Sequence, residues 1–142
     1  MPASFDYAVI RIVPRVEREE FINAGVIVFC LEKRYLAARV HLDAERLKAL
    51  WPEADVGLIR EHLQAIERVC AGDPAAGPIA KLSQRERFHW LISARSTMIQ
   101  PSPVHSGLCD TTDGLLDRLA KQFLESGSDS GSDTRDRQTK SA

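Results

Sequence analysis

Three arginines and three glutamates crowd into one short stretch near the N-terminus. The stretch contains Arg11, Arg15, Arg18, Glu17, Glu19 and Glu20, and Asn23 follows it. A guanidinium group binds carboxylates and phosphates through paired hydrogen bonds, so this stretch could bind an anion or an acidic group of a partner protein. In the alternative interpretation the glutamates pair with the arginines. The stretch would then be a solvent-exposed charged bend with a short helix over 17–22, held by weak surface ion pairs.

A second group of polar side chains lies late in the chain. Its candidate binding residues are Arg95, Gln100, Ser102 and His105. Two prolines and a glycine predict irregular backbone over 101–107, and polar residues on irregular segments often bind ligands. Cys109 follows His105 by four positions and precedes a predicted helix, where a thiolate is stabilised, so a Cys–His nucleophilic pair is conceivable. The alternative is that Cys109 is a small apolar core residue.

Motifs that would identify an enzyme or a metalloprotein are missing from the sequence. The four histidines are scattered, and no CxxC or HExxH spacing occurs. Neither the phosphate-binding loop GxxxxGK[ST] nor GxGxxG is found, and there is no kinase signature. We therefore predict no metal and no cofactor. Whether the chain is an enzyme stays open, with a non-enzymatic role favoured.

Composition narrows the class of protein. The 142 residues suggest one domain, and a net charge of -1 with a pI near 6.4 argues against a nucleic-acid binder. No signal peptide and no apolar run long enough to span a membrane can be recognised, so we expect a cytoplasmic protein. In that compartment the three cysteines are expected to be reduced thiols.

Strand-like patterns in the first third of the chain would position the charged stretch. Residues 6–13 are rich in β-branched and aromatic types, and Pro14 would end that strand. Residues 25–31 are continuously apolar, which predicts a buried central strand, and 35–42 alternate like a half-exposed strand. These three segments predict an antiparallel meander, with 95–100 as a fourth strand.

The rest of the chain has helical periodicity, and capping residues mark where each helix begins. The expected N-caps are Asp43, Asp55, Ser83 and either Asp110 or Thr111. Ser83 forms a capping box with Glu86, and Gly72 stands where a helix C-terminus is expected. The Gly/Ser/Asp-rich residues 126–142 cannot build a core, so we expect a disordered tail after a globular domain of residues 1–125.

Two segments resemble a known bacterial family. "YAVIRIVPRVEREEFINAGVIVFC" and "RSTMIQPSPVHSG" resemble members of domain of unknown function family 3037, over about residues 6–124. The resemblance implies no reaction and no catalytic residue. It does imply a possible partner, because a protein similar to a toxin-type serine/threonine kinase is often encoded beside family members. An accessory role for this chain would follow.

Together these observations predict an α+β fold with an antiparallel sheet of three to four strands, packed on one face by three to four helices. We predict a small accessory module that binds a protein, possibly the kinase-like neighbour. The alternative is an enzyme that binds a small molecule or nucleotide between the Arg15/Arg18 bend and the His105 loop. The predicted binding residues are Arg11, Arg15, Arg18, Asn23, Arg95, Gln100, Ser102 and His105.

Overall fold

A computed structural model describes residues 2–14, 20–93 and 98–124. Three predicted binding residues, Arg15, Arg18 and Arg95, lie outside the described residues, as does the expected tail over 126–142. The short helix expected over 17–22 falls mostly outside them too. Its last position, Ile22, already begins a strand.

Five antiparallel strands form one sheet. They are β1 (Ala3–Ile12), β2 (Ile22–Cys30), β3 (Tyr35–Val40), β4 (Ile99–Pro101) and β5 (His105–Cys109). The order is β3-β2-β1-β4, and β5 pairs with β1 on the same side as β4. The predicted meander of β1, β2 and β3 is confirmed. Successive side chains of β2 point to opposite faces of the sheet, and both faces are covered. Its sequence is therefore almost continuously apolar.

Helices cover both faces of the sheet. They are α1 (Ala44–Leu50), α2 (Val56–Ala71), α3 (Gln84–Ile92) and α4 (Leu115–Leu124). The first three helices pack with Ile27 and Phe29 of β2 on one face, and α4 packs with Val26 and Val28 on the other. The α+β class is confirmed, with one more strand than expected and with α4 on the face opposite the other helices. No described helix is long and apolar enough to cross a membrane.

The first three helices begin at the N-cap residues that the sequence predicts. The carboxylates of Asp43 and Asp55 accept backbone N–H groups of the first turns, and Ser83 with Glu86 completes the capping box. Gly72 ends α2 with a φ of 72°, a left-handed conformation that favours glycine.

The prediction of irregular backbone over 101–107 holds only for residues 102–104, and the prediction that Asp110 or Thr111 caps the last helix is wrong. Pro101 ends β4, and β5 runs to Cys109. An outer strand tolerates proline because the missing N–H group can face away from the neighbouring strand. The chain then turns through Gly114, with a φ of 73°, before α4 begins at Leu115.

Candidate functional site

Three predicted binding residues form one row across the sheet. Arg11 of β1 lies opposite Asn23 of β2 on one side and opposite Gln100 of β4 on the other. A bulge shifts the register between Ile10 and Arg11, which turns Asn23 to the same face as Arg11. The amide Nδ2 of Asn23 donates to the carbonyl oxygen of Phe123 at 3.3 Å, so the row lies at the C-terminal end of α4.

Polar atoms of this row are incompletely paired. The Arg11 guanidinium lies 4.3 Å from the ring centroid of Phe21, a cation–π contact. Its Nε atom is buried without a hydrogen-bond partner, as is Oδ1 of Asn23, within the part of the chain that the structure describes. An unpaired buried polar atom costs about 1–3 kcal/mol. One atom is a donor and the other an acceptor, so a bridging water or polar group would satisfy both.

His105 lies on the same face of the sheet but farther along β1. It faces Tyr7, and their ring centroids are 5.4 Å apart, while Tyr7 also contacts Phe123 at 5.8 Å. Arg11 follows Tyr7 by four positions along β1, which is about 13 Å of strand. His105 and the Arg11 row therefore share a face without touching. The pocket expected between the Arg15/Arg18 bend and His105 involves residues outside those described.

Ser102 is buried and links the segment between β4 and β5 to β1 through hydrogen bonds. Its hydroxyl accepts the Val9 N–H at 2.8 Å and donates to the Pro103 carbonyl at 2.9 Å. Its backbone N–H donates to the Val9 carbonyl at 2.7 Å. The side chain thus substitutes for a backbone carbonyl at the junction of the two outer strands.

The geometry separates the two members of the conceivable Cys–His pair. Cys109 follows His105 by four positions along β5, about 13 Å, and the histidine is exposed whereas the cysteine is buried. Burial and a hydrogen bond with Cys30 raise the pKa of the Cys109 thiol. Burial likewise raises the pKa of Cys70 to about 12. All three cysteines are free thiols, and no cluster of metal-ligating side chains occurs among residues 2–14, 20–93 and 98–124.

The two edges of the sheet differ in how they are covered. At the β3 edge the Val40 N–H donates to Glu67 of α2 at 3.2 Å, and Arg39 pairs with Asp117 of α4. At the opposite edge, β5 contains no Asp, Glu, Lys or Arg. Among the described residues, the backbone groups of 105–109 hydrogen-bond only to β1. The β5 edge is therefore open over the described part of the chain.

One exposed leucine lies in the open edge strand, and another lies two strands inward, just after β2. Leu108 of β5 is 71% exposed and Leu31 is 60% exposed, the two highest values among the large hydrophobic residues described. Leu108 lies opposite Ser4, and continuing the register of β1 with β2 places Leu31 opposite Ser4 on the other side. This surface was not predicted from the sequence. Its signal is the alternation over 105–109, which the neighbouring prolines obscured.

These features define a small α+β domain whose sheet has one covered edge and one open edge. The chain belongs to a family of proteins of unknown function, DUF3037, whose family model matches residues 7–124. No curated protein and no solved structure matches the chain significantly. The matched range starts within β1 and ends with α4, so it includes both edges of the sheet.

Proposed function

We propose that this domain is an accessory module that binds another protein by accepting an extended segment of its partner beside β5. The observation that carries the proposal is the difference between the two edges. The β3 edge is paired with Glu67, whereas β5 has no charged residue and no partner strand on its outer side within the described chain. Strand addition uses these outward backbone groups for affinity and alternate side chains for specificity.

An open edge carries a risk of unwanted association, which supports a binding role. Edge strands in monomeric proteins are usually protected by charged side chains, bulges or a covering element. The central residue of β5 is Gly107, which has no side chain to protect the edge, and the next residue is the exposed Leu108. A partner strand would cover the outward backbone groups, and its apolar side chains would contact Leu108.

The Arg11 row would add a polar contact on the opposite face of the sheet. Gln100 belongs to β4, which continues the same edge as β5, and Arg11 lies one strand further in. We assign an acidic side chain of the partner to this row, where a carboxylate would supply an acceptor to the guanidinium group. Arg15, Arg18 and Arg95, outside the described residues, are proposed to contribute to the same contact.

The proposed partner is the kinase-like protein that the family resemblance implies. The test is a pull-down of that purified protein by the full chain and by two variants, Leu108→Lys at the open edge and Leu58→Lys on α2. Both leucines are exposed, so neither change removes core packing. We expect Leu108→Lys to weaken binding about tenfold or more, as hot-spot changes do, and Leu58→Lys to leave it unchanged.

Two outcomes would contradict the proposal at different levels. If the wild-type chain does not retain the kinase-like protein, that partner is wrong. If the complex forms and Leu108→Lys binds as tightly as wild type, the open edge is not the binding surface. Circular dichroism of both variants checks that the fold is retained.

A further inference from the structure

A large cavity lies on the opposite face of the sheet from the Arg11 row. Its volume is about 810 Å³, and it is bounded by β1, β2 and β4, by α2 and α3, and by the short helical turns that follow α2. These turns are Pro74–Ala76 and Pro78–Lys81. Ligand sites in proteins typically measure about 300–1,000 Å³, so this cavity has the size of a small-molecule site.

The interior of the cavity is apolar. Ile10, Ile27 and Val69 form a floor of fully buried side chains, and the half-buried Ile66, Leu91 and Ile99 form the walls. The cavity exists because α2 packs mainly over β3, leaving part of β1 and β4 uncovered beside it. A ligand that replaced water here would gain the free energy of removing the half-buried Ile66, Leu91 and Ile99 from solvent.

The charges at the rim cancel. Glu61 and Arg68 both line the cavity from α2, and seven helical residues, about 10 Å, separate them. No other Asp, Glu, Lys or Arg lines it among the described residues. His62, Gln64 and Ser93 add hydrogen-bonding groups, and Trp90 presents an indole ring. Such a rim favours no ion of either sign.

We propose that this cavity binds an uncharged, largely apolar molecule that contains a ring. The ring would pack against Trp90, and polar atoms of the ligand would face His62 and Ser93. This site goes beyond the protein-binding role, because Arg11, Asn23, Gln100, Ser102 and His105, the predicted binding residues that the structure describes, do not line it, and neither do Leu31 and Leu108. A ligand site and a partner edge would then coexist in one domain.

The test is a fluorescence titration of the full chain with Nile red, an uncharged ring compound whose emission rises and shifts to the blue in apolar surroundings. Two matched variants replace an exposed helical alanine by phenylalanine. Ala65→Phe puts the ring into the cavity from α2, and Ala49→Phe puts it on α1, away from the cavity. We expect saturable wild-type binding, a dissociation constant about tenfold higher for Ala65→Phe, and no change for Ala49→Phe.

Further variants separate the site from other apolar surfaces. Ala75→Phe blocks the cavity from the turn after α2 and should reproduce the effect if Ala65→Phe proves unstable. Leu108→Lys should leave dye binding unchanged, and Ala65→Phe should leave the partner pull-down unchanged. An anionic dye, anilinonaphthalene sulfonate, should bind more weakly than Nile red. The inference is overturned if wild type shows no saturable binding or if Ala65→Phe and Ala49→Phe behave alike.

Discussion

The β3 and β5 edges show two ways in which one sheet can end. The β3 edge is covered by side chains from distant elements, because Glu67 of α2 accepts the Val40 N–H and Asp117 of α4 pairs with Arg39. The β5 edge is held only from the inside, where Ser102 and the register with β1 align it. Residues of α2 and α4 therefore protect the β3 edge, because β3 itself contains just one charged residue.

The difference indicates which edge is available to a partner. A strand added to β3 would have to displace helix contacts, whereas a strand added to β5 would displace only water from the described surface. The following changes test how the covered edge is maintained and how β5 is held, in order of decreasing expected effect.

Arg87→Met should have the largest effect, because it loosens the layer that covers β3. The buried guanidinium donates to the carbonyls of Val69 and Cys70 in α2, at 2.7 and 2.8 Å, and to the Leu82 carbonyl at 3.0 Å. Losing these three hydrogen bonds, two of them buried, should lower the free energy of unfolding by about 3 kcal/mol, measured by urea denaturation. Arg85→Met, on the exposed side of α3, is the control and should change little. A loss below about 1 kcal/mol for Arg87→Met would contradict this role.

Gly107→Ala should strain the inner contact that holds β5. A Cβ atom at this position would lie 2.7 Å from Cζ of Phe5, whose ring packs over the glycine. Overpacking of this kind should cost about 2 kcal/mol in urea denaturation. Combining it with Phe5→Leu frees space, so the double variant should lose less stability than the two single losses added together. If the stability losses of the two single variants simply add in the double variant, the Phe5 ring does not limit the space at position 107.

Glu67→Ala should uncover the β3 edge locally. It removes the acceptor of the Val40 N–H, a bond worth about 1 kcal/mol. Amide hydrogen exchange at Val40 should speed up about fivefold as a result. Glu67→Gln keeps a side-chain acceptor and should preserve most of the protection. Unchanged exchange at Val40 in Glu67→Ala would mean that α2 covers this edge without the carboxylate.

Asp117→Asn should have the smallest effect on the covered edge. The Arg39–Asp117 pair is solvent-exposed, with 43% and 63% of the side chains accessible. Water screens such pairs, so the loss in thermal or urea denaturation should stay below about 0.5 kcal/mol and shrink further in high salt. A salt-independent loss above about 1 kcal/mol would indicate that the pair fixes α4 to β3 more firmly than its exposure suggests.

Local signals in the sequence were enough to predict the meander, the caps at Asp43, Asp55 and Ser83, and the end of α2 at Gly72. Each of these depends on residues close together in the chain. The row of Arg11, Asn23 and Gln100 could not be predicted, because it depends on a bulge and on the register between distant strands. The open edge was missed because β5 is short and follows two prolines.

Hydrogen exchange of the full chain, alone and with the proposed kinase-like partner, is the most direct test of strand addition at β5. The account predicts that outward-facing amides of β5 exchange rapidly in the free chain and become protected in the complex, while amides of β3 exchange at the same rate in both states. The account would be contradicted if the complex forms and residues 105–109 gain no protection while another surface does.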